Sequence, residues 1–243
     1  MPGIGIEVVG LKKRLGPNQA LDAASFSFEA GALHGLIGPD GAGKTTLLRT
    51  LVGLLKPDGG TVGFARDGEA LEFAQVRAGI AYMPQRQSLY ADLSVGEHLD
   101  FFRDLYGLAE DAYGARRAEL LAITRLDQFV DRAAGELSGG MYKKLGLMCS
   151  LLRSPSVLLL DEPTNGVDPI SRREFWELLY RLSGGGATVV VSTAYMDEAQ
   201  RCARVHLLDK GRALAEGEPR HVLDREGVQS FEELFLKREG APR

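Results

Sequence analysis

The residues of this chain that are best suited to chemistry lie between Gly38 and Thr46, a stretch that reads Gly-Pro-Asp-Gly-Ala-Gly-Lys-Thr-Thr. This spacing of glycines, lysine and threonine is typical of a phosphate-binding loop. The glycines let backbone N–H groups turn towards an anion, and the following helix adds the positive end of its dipole. We expect Lys44 to reach the outer phosphates and Thr45 to ligate magnesium. The candidate phosphate-binding residues are therefore Gly38, Pro39, Asp40, Gly41, Ala42, Gly43, Lys44, Thr45 and Thr46.

The segments on either side of this loop support that interpretation. Residues 32–37 form an apolar run that suits a buried strand, and residues 45–52 place apolar side chains at helical spacing. A phosphate-binding loop joins a strand to a helix in this way. The alternative, an ordinary glycine-rich turn, is weakened by this context.

Two adjacent acids, Asp161 and Glu162, follow the apolar run of residues 157–160. They lie at the carboxyl end of a predicted buried strand, where ligands bind in open α/β sheets. Because consecutive strand residues point to opposite sides, we expect Asp161 to reach a magnesium shell while Glu162 faces an attacking water. The alternative is an acidic end to a strand, and the phosphate loop on the same chain favours the catalytic interpretation.

A second anion-binding helix start is predicted at residues 137–141, Leu-Ser-Gly-Gly-Met. Ser138 supplies a hydroxyl, Gly139 and Gly140 permit close backbone approach, and the following helix contributes partial positive charge. The alternative is a plain capping motif, which this stretch taken alone favours because serine is a common N-cap.

The order of apolar segments predicts an α/β fold. Residues 4–9 and 24–29 alternate as short strands, and residues 79–85 form another strand. Residues 94–152 have helical periodicity and predict an α-helical insertion. Continuous apolar runs at 157–160 and 188–191 then enclose a helix at 171–182, which implies a parallel sheet. Short strands around Gly211 and a terminal helix near residues 230–237 complete the chain.

Length, charge and cysteine content limit the size of the domain, its partners and its cellular compartment. The 243 residues suffice for one large domain, and the net charge of −4 gives no reason to expect nucleic acid as a partner. Cys149 and Cys202 lack metal-ligand spacing and indicate reduced thiols of a cytoplasmic protein. No apolar run approaches the ~20 residues that span a bilayer, so we expect other polypeptides or a further part of the chain to do any spanning.

These motifs occur in the order and approximate spacing of the ATP-binding domain of ABC transporters, which the chain resembles over nearly its whole length. The resemblance rests on the phosphate loop, Gln85, residues 137–141, residues 158–162 and Asp168. Residues 83–85, 88–95 and 164–169 are similar to the ABC-2 type multidrug exporter ATPases.

The resemblance implies a P-loop NTPase (RecA-like) α/β core with an N-terminal antiparallel β subdomain and an inserted α-helical subdomain. We expect one ATP-binding domain over residues 1–243. Residues 1–88 and 155–225 would form the β subdomain and core, residues 89–154 the helical insertion, and residues 226–243 a C-terminal helix.

The resemblance also implies partners and ligands. Two such domains pair head to tail, so that Ser138, Gly139 and Gly140 of one cover the ATP and Mg²⁺ held by the other. Asp168 would lie at the dimer seam. Gln85 would sense the γ-phosphate and bind magnesium with Thr45 and Asp161, and Glu162, Lys44 and Gln85 would be catalytic. The segment from Gln85 to Leu93 would meet an ABC-2 type membrane permease, which places the chain in the cytoplasm on the inner face of the cell membrane.

Three positions depart from the family pattern. Ala194 stands where most members carry a histidine that touches the γ-phosphate, and losing one such contact costs about 2.7–4 kcal/mol, so we expect slow turnover. A neighbouring group that compensates is the alternative. Leu15 takes the likely place of an adenine-stacking aromatic residue, and Met141 replaces a glutamine with small expected effect.

The sequence thus predicts an ATP-hydrolysing subunit or domain of an ABC exporter. One alternative is a degenerate half that acts as an ATP-gated dimerisation module with little hydrolysis, which Ala194 and Leu15 motivate. Another is a soluble ABC ATPase that works on nucleic acid, and the basic surfaces or added arms typical of that class are not evident in the sequence.

Overall fold

A computed structural model of the protein describes residues 3–86 and 89–239. Its first sheet is antiparallel, with strand order β2-β1-β4-β5. Apolar side chains on one face of the two long strands, among them Val8, Leu11 and Phe26, are buried, while the opposite face is largely polar. This period-2 alternation is what a half-buried sheet requires. The strands are β1 (Gly5–Leu15), β2 (Asn18–Phe28), β4 (Gly59–Arg66) and β5 (Glu69–Leu71).

The second sheet has six strands in the order β10-β9-β3-β8-β7-β6, and all neighbours are parallel except β9 and β10. Its central strands β3, β7 and β8 are buried at every position, as expected of runs rich in valine and leucine between two layers. The strands are β3 (Leu33–Ile37), β6 (Ile80–Met83), β7 (Val157–Asp161), β8 (Thr188–Thr193), β9 (Arg204–Asp209) and β10 (Arg212–Gly217).

Helices cover the sheets and fill the segment between β6 and β7. Ser94 caps the first long helix of that segment, and Glu97 completes a capping box with it. The helices are α1 (Lys44–Leu51), α2 (Phe73–Val76), α3 (Val95–Tyr106), α4 (Glu110–Thr124), α5 (Gly139–Leu151), α6 (Pro169–Gly184), α7 (Pro219–Glu226) and α8 (Phe231–Glu239). In the described ranges, none of these helices has both the length and the apolar character needed to cross a membrane.

The core consists of two apolar clusters on opposite faces of the six-stranded sheet. Leu158 and Leu160 of β7 join the cluster formed with α3 to α6, whereas Leu159 joins the cluster formed with α1 and the antiparallel sheet. Because successive strand side chains alternate in direction, one strand supports both layers. Because β3, β8 and β7 are neighbouring parallel strands, their carboxyl ends lie together at one edge of the sheet.

The observed elements agree with the sequence in kind but differ in extent. The strands predicted over 4–9 and 24–29 are wrong in length, since β1 and β2 have 11 residues each and pair as a hairpin from Ile6 with Phe28 to Leu15 with Asn18. Irregularities in the pairing between Val8 and Leu11 and between Leu11 and Lys13 interrupt the alternation in β1. Strands β4 and β5 and helix α7 were not predicted, because few of their side chains are buried.

The parallel sheet, the helical segment between β6 and β7, and the terminal helix all occur as predicted. The limits of the subdomains remain predictions. Residues 87–88 of the segment expected to meet a permease, and residues 240–243 of the expected C-terminal helix, lie outside the described residues.

Candidate nucleotide-binding site

The glycine-rich loop runs from the end of β3 to the start of α1, and its glycines are required by close approaches. A Cβ atom on Gly38 would lie 2.1 Å from the Leu208 carbonyl oxygen, and one on Gly43 would lie 2.4 Å from the Ala20 carbonyl oxygen. Gly43 also has φ +108°, a backbone conformation that side chains rarely adopt. The loop is therefore fixed by contacts that only glycine allows.

The start of α1 offers its first N–H groups to an outside acceptor. Its N-cap is Gly43, which has no side chain, so the capping hydrogen bond that a serine or aspartate would provide is missing there. The orphan N–H groups of a helix start need an acceptor, and they carry partial positive charge. A phosphate group satisfies both requirements, so the loop fits the predicted ligand.

Lys44 points back across the loop. Its Nζ atom donates to the carbonyl oxygens of Gly38 at 2.8 Å and Pro39 at 3.0 Å, and it lies 3.2 Å from Oε1 of Glu162. The Lys44 side chain is only 4% exposed. A nearly buried ammonium held between the loop and an acid is well placed to neutralise phosphate charge.

Asp161 ends β7 and is fully buried. Its Oδ1 atom accepts hydrogen bonds from Thr45 Oγ1 at 3.1 Å and Ser192 Oγ at 2.8 Å, and its Oδ2 atom accepts from Tyr82 at 3.2 Å. Burial, together with the neighbouring Asp161 charge, raises the pKa of Tyr82 to about 12, so the phenol keeps its proton as a donor. The carboxylate is thereby held against the threonine predicted to ligate magnesium.

Glu162 does not continue the strand. Its φ of +46° is left-handed, and its N–H donates to both the carbonyl oxygen of Ser192 at 3.1 Å and the Ser192 hydroxyl at 3.0 Å. The expectation that strand alternation separates the two acids is therefore wrong, because the strand ends between them. The Glu162 carboxylate instead reaches the same side as the loop, where Gln85 Nε2 donates to its Oε2 atom at 2.7 Å. Asn165 Nδ2 donates to that oxygen at 3.2 Å.

A cavity of about 560 Å³ lies over the loop, which is large enough for a nucleotide. Leu15 and the neighbouring β2 residues form one wall, and Gln85, Glu162 and Asn165 form the opposite one. The residues that line it are Leu15, Asn18, Gln19, Ala20, Asp40, Gly41, Ala42, Gly43, Lys44, Thr45, Thr46, Gln85, Glu162 and Asn165.

The donor set for magnesium is sparse but suitable. The described residues include no group of three or more histidine, cysteine or acidic side chains that could hold a metal. Thr45, Gln85 and Asp161 offer a hydroxyl, an amide and one carboxylate, which suits Mg²⁺ because this ion usually keeps several waters and binds substrate phosphates. These residues therefore fit magnesium that arrives with a nucleotide.

Ser138, Gly139, Gly140 and Asp168 are not among the residues that line this cavity. Ser138 caps α5 by accepting from Met141 N at 3.3 Å, so the capping alternative describes its role within this chain. Asp168 caps α6 by accepting from the N–H groups of Ile170 and Ser171, and these bonds lower the pKa of its carboxyl. A Cβ atom on Gly140 would lie 2.5 Å from the Ser171 hydroxyl, so the first turns of α5 and α6 pack closely against each other. Their role towards a second nucleotide remains a prediction.

Sequence reasoning missed several groups of the site. Tyr82, Ser192 and Asn165 hold the two acids, and Asn18 and Gln19 line the cavity. The position of Tyr82 on the strand next to β7 was the available signal, since both strands end at the same sheet edge. Asn165 lies three residues after Glu162, but no spacing rule distinguishes it from an ordinary turn residue.

The start of the expected permease-contact segment is tied to the helical segment. The Gln85 carbonyl accepts from Lys143 Nζ at 2.9 Å, and Leu89 N donates to the Tyr142 hydroxyl at 3.1 Å. Tyr90 is 56% exposed and packs edge-to-face on Phe101, which is also exposed. This surface links the cavity wall at Gln85 to exposed aromatic side chains.

Comparisons with known proteins agree with this site. A model of the ABC transporter family matches residues 21–165. The chain is 44% identical over 228 residues to "Probable multidrug ABC transporter ATP-binding protein YbhF" of Escherichia coli (strain K12), which covers 93% of the chain and 39% of that protein. It is 38% identical over 227 residues to "Nod factor export ATP-binding protein I" of Burkholderia lata, which covers 93% of the chain and 75% of that protein. A solved ATP binding subunit of an ABC transporter has a TM-score of 0.81 and 28% identity, over 96% of this chain and 98% of the other.

The fold and the site define a nucleotide-binding protein of the P-loop class, in which a strand, a glycine-rich loop and a helix present N–H groups and a lysine to phosphate. The chain spans 39% of the first of these relatives. It belongs to the ABC transporter family as an ATP-binding domain. The predicted family and the predicted fold are confirmed.

Proposed function

We propose that this chain hydrolyses ATP and uses the cycle to drive a separate membrane domain of an exporter. The observation that carries the proposal is the Glu162 carboxylate, which meets both Lys44 and Gln85 in the wall of the nucleotide cavity. Hydrolysis of a phosphoanhydride needs charge neutralisation at the phosphates and a group that orients the attacking water. One buried cluster supplies both.

Each side chain has a distinct task in this proposal. Lys44 and the N–H groups of the loop bind the phosphates, and Thr45 and Gln85 bind magnesium, which neutralises developing phosphate charge. Asp161 orients the metal site through Thr45, to which it is already hydrogen bonded. Glu162 polarises the attacking water. Its carboxylate is paired with Lys44, the residue proposed to bind the outer phosphates, so it lies beside the expected position of the γ-phosphate.

The Ser138 motif is proposed to act on a second ATP-binding domain. Ser138 is not among the residues that line this chain's own cavity, and it caps the N-terminus of a helix, which carries partial positive charge. In a head-to-tail pair it would cover the γ-phosphate held by the other domain, with Asp168 at the seam. ATP then shifts the population towards the closed pair and hydrolysis releases it.

The membrane partner is proposed to be an ABC-2 type permease that contacts the surface from Gln85 to Leu93 and the exposed aromatic side chains beside it. Tyr90, Phe101 and Leu105 are exposed apolar residues on this side, with Leu105 at 62% exposure. One relative is named an export ATP-binding protein, which supports an export role. The chain would then work in the cytoplasm, at the inner face of the membrane. A net charge of −4 gives no support to nucleic acid as a partner.

The degenerate alternative is less well supported. Ala194 and Leu15 depart from the family pattern, but Glu162 contacts both Lys44 and Gln85, and Asp161 is hydrogen bonded to Thr45. We therefore expect slow hydrolysis rather than none.

The test is steady-state ATP hydrolysis with Mg²⁺ by the wild type and by Glu162→Gln. Glu162→Gln keeps the shape of the side chain and removes the charge, so hydrolysis should fall at least a hundredfold while ATP binding persists. Glu177→Gln is the matched control, because Glu177 is an exposed residue of α6 that does not line the cavity. An unchanged rate in Glu162→Gln would overturn the proposed role of this glutamate.

A further inference from the structure

A second set of hydrogen bonds reaches Glu162 from the segment that follows β8. The Tyr195 hydroxyl donates to Asn165 Oδ1 at 3.3 Å, and Asn165 Nδ2 donates to Glu162 Oε2 at 3.2 Å. Tyr195 follows Ala194, whose methyl group has no hydrogen bond to offer. The hydroxyl of the next residue, Tyr195, is therefore connected to Glu162 through the Asn165 amide.

Among the residues that the structure describes, three side chains contact the Glu162 carboxylate, which are Lys44, Gln85 and Asn165. In the proposed reaction, Lys44 is committed to phosphate and Gln85 to magnesium. Asn165 is then the partner left to hold the carboxylate while it orients water. Asn165 also lines the nucleotide cavity, so it acts at the site itself.

The Asn165 amide bridges Glu162 and Tyr195. A carboxylate accepts only, so the NH₂ group of the amide faces Glu162 and leaves its oxygen for the Tyr195 hydroxyl. Without that hydroxyl, the amide keeps its bond to Glu162 but loses the contact that anchors its other end. The tyrosine therefore restrains the amide that supports Glu162.

Tyr195 is itself held in place. The Arg172 guanidinium lies 4.5 Å from the centre of its ring, a cation–π distance. Arg172 lies 3.9 Å from the carboxylate of Glu198, which is fully buried and accepts from Thr164 and from the indole of Trp176. Arg172 thus holds one face of the ring, while the hydroxyl of the ring donates to Asn165.

We propose that Tyr195, acting through Asn165, positions the Glu162 carboxylate. The inference rests on the proposed role of Glu162 in hydrolysis. Tyr195 is a positioning residue, since it touches Asn165 and not the reacting atoms.

The first test is Tyr195→Phe, which removes the hydroxyl and keeps the ring on Arg172. One neutral hydrogen bond corresponds to about threefold to tenfold in rate, so kcat should fall by that factor. KM for ATP should stay unchanged, because the phosphate-binding groups are intact. Asn165→Ala should lower kcat similarly, and the double variant should be no worse than Asn165→Ala, because both changes break one chain of contacts.

The matched control is Tyr180→Phe. Tyr180 is a half-exposed residue of α6 that packs on Trp176 and does not line the cavity, so kcat should be unchanged. Thermal unfolding of each variant separates a loss of positioning from a loss of folded protein. Equal kcat in wild type and Tyr195→Phe, with Glu162→Gln inactive, would overturn the positioning role and leave the proposed function intact.

A second measurement does not need turnover. The chain has only two asparagines, Asn18 and Asn165, so asparagine-selective ¹⁵N labelling gives two side-chain amide signals, which Asn165→Ala assigns. In Tyr195→Phe, the Asn165 amide protons should shift towards the values of an exposed asparagine while the Asn18 signal stays in place. An unchanged Asn165 signal would overturn the proposal even if hydrolysis by the isolated chain is too slow to follow.

Discussion

An ion pair joins the two helices that start at Ser138 and Asp168. Lys144 Nζ of α5 lies 2.5 Å from Glu174 Oε2 of α6, and Arg125 Nη1 lies 2.9 Å from the other Glu174 oxygen. The Lys144 side chain is 10% exposed, that of Glu174 is 26% exposed and that of Arg125 is 73% exposed. The hydrogen bond from Lys144 lowers the pKa of Glu174, because it favours the charged carboxylate.

Breaking the pair from the two sides should have unequal effects on stability. Glu174→Gln leaves a largely buried ammonium opposite a neutral amide, and removing one partner of a fully buried pair costs about 3–5 kcal/mol. Because Glu174 is a quarter exposed, water reduces that figure, and we expect a loss of about 2 kcal/mol. Lys144→Met leaves Glu174 bonded to Arg125 and near water, so the loss should be about 1 kcal/mol.

Urea unfolding at pH 7 measures both losses, and an unchanged slope with urea shows that they are changes in stability. The double variant, Glu174→Gln with Lys144→Met, should lose less than the sum of the single losses, because neither charge is then left alone. The contribution is present at neutral pH and is lost as the pH falls through the lowered pKa of Glu174. A loss in Glu174→Gln no larger than that in the exposed control Glu177→Gln would refute the reasoning.

Two further predictions concern the cavity wall and the core. Leu15→Tyr should lower the Kd for ATP about fivefold in calorimetry, since stacking of the base on an aromatic ring adds about 1 kcal/mol. The control Leu54→Tyr, at an exposed position, should leave the Kd unchanged. An unchanged Kd in Leu15→Tyr would show that Leu15 does not contact the base. Burial is the main cause that lowers the pKa of His34 to about 4, and the nearby His206 is the second; Arg204 also lowers it, while Glu29 and Glu216 oppose the shift. As the pH falls, His34 therefore binds a proton in the unfolded chain before it does so in the folded chain. The free energy of unfolding should fall by on the order of 3 kcal/mol from pH 6.5 to 4. Urea titrations of wild type and His34→Gln test this, and equal pH slopes would contradict it.

The phosphate loop was predictable because its determinants are local. A strand, a helix and the spacing of Gly38, Gly43 and Lys44 fix where the N–H groups point, and the structure adds only the carbonyl oxygens that exclude a Cβ atom. The central strands were predictable for a similar reason, since strands buried on both faces are continuous apolar runs. Local patterns therefore gave the fold and half of the site.

The partners of Glu162 were not predictable in the same way. Glu162 was assigned its side by strand alternation, but the chain turns left-handed at that residue, and no pattern in the sequence marks the turn. Asn165 and Tyr195 are 30 residues apart and meet only because β7 and β8 are neighbours. Contacts that depend on the order of strands in a sheet require the structure.

Strand β8 explains how these contacts are assembled. Ser192 pairs with Asp161 in the parallel ladder, its hydroxyl donates to the Asp161 carboxylate, and it accepts the N–H of Glu162. One serine thus orients the acid beside Thr45 and stabilises the strained backbone of the acid beside Lys44. Three residues later, the same strand end presents Tyr195 to Asn165. Ser192 contacts the backbone of Glu162, and Tyr195 contacts its side chain through Asn165, and both residues lie in one short segment. A shift of β8 relative to β7 would therefore displace the backbone and the carboxylate of Glu162 together. The geometry proposed for hydrolysis thus depends on the pairing of these two strands.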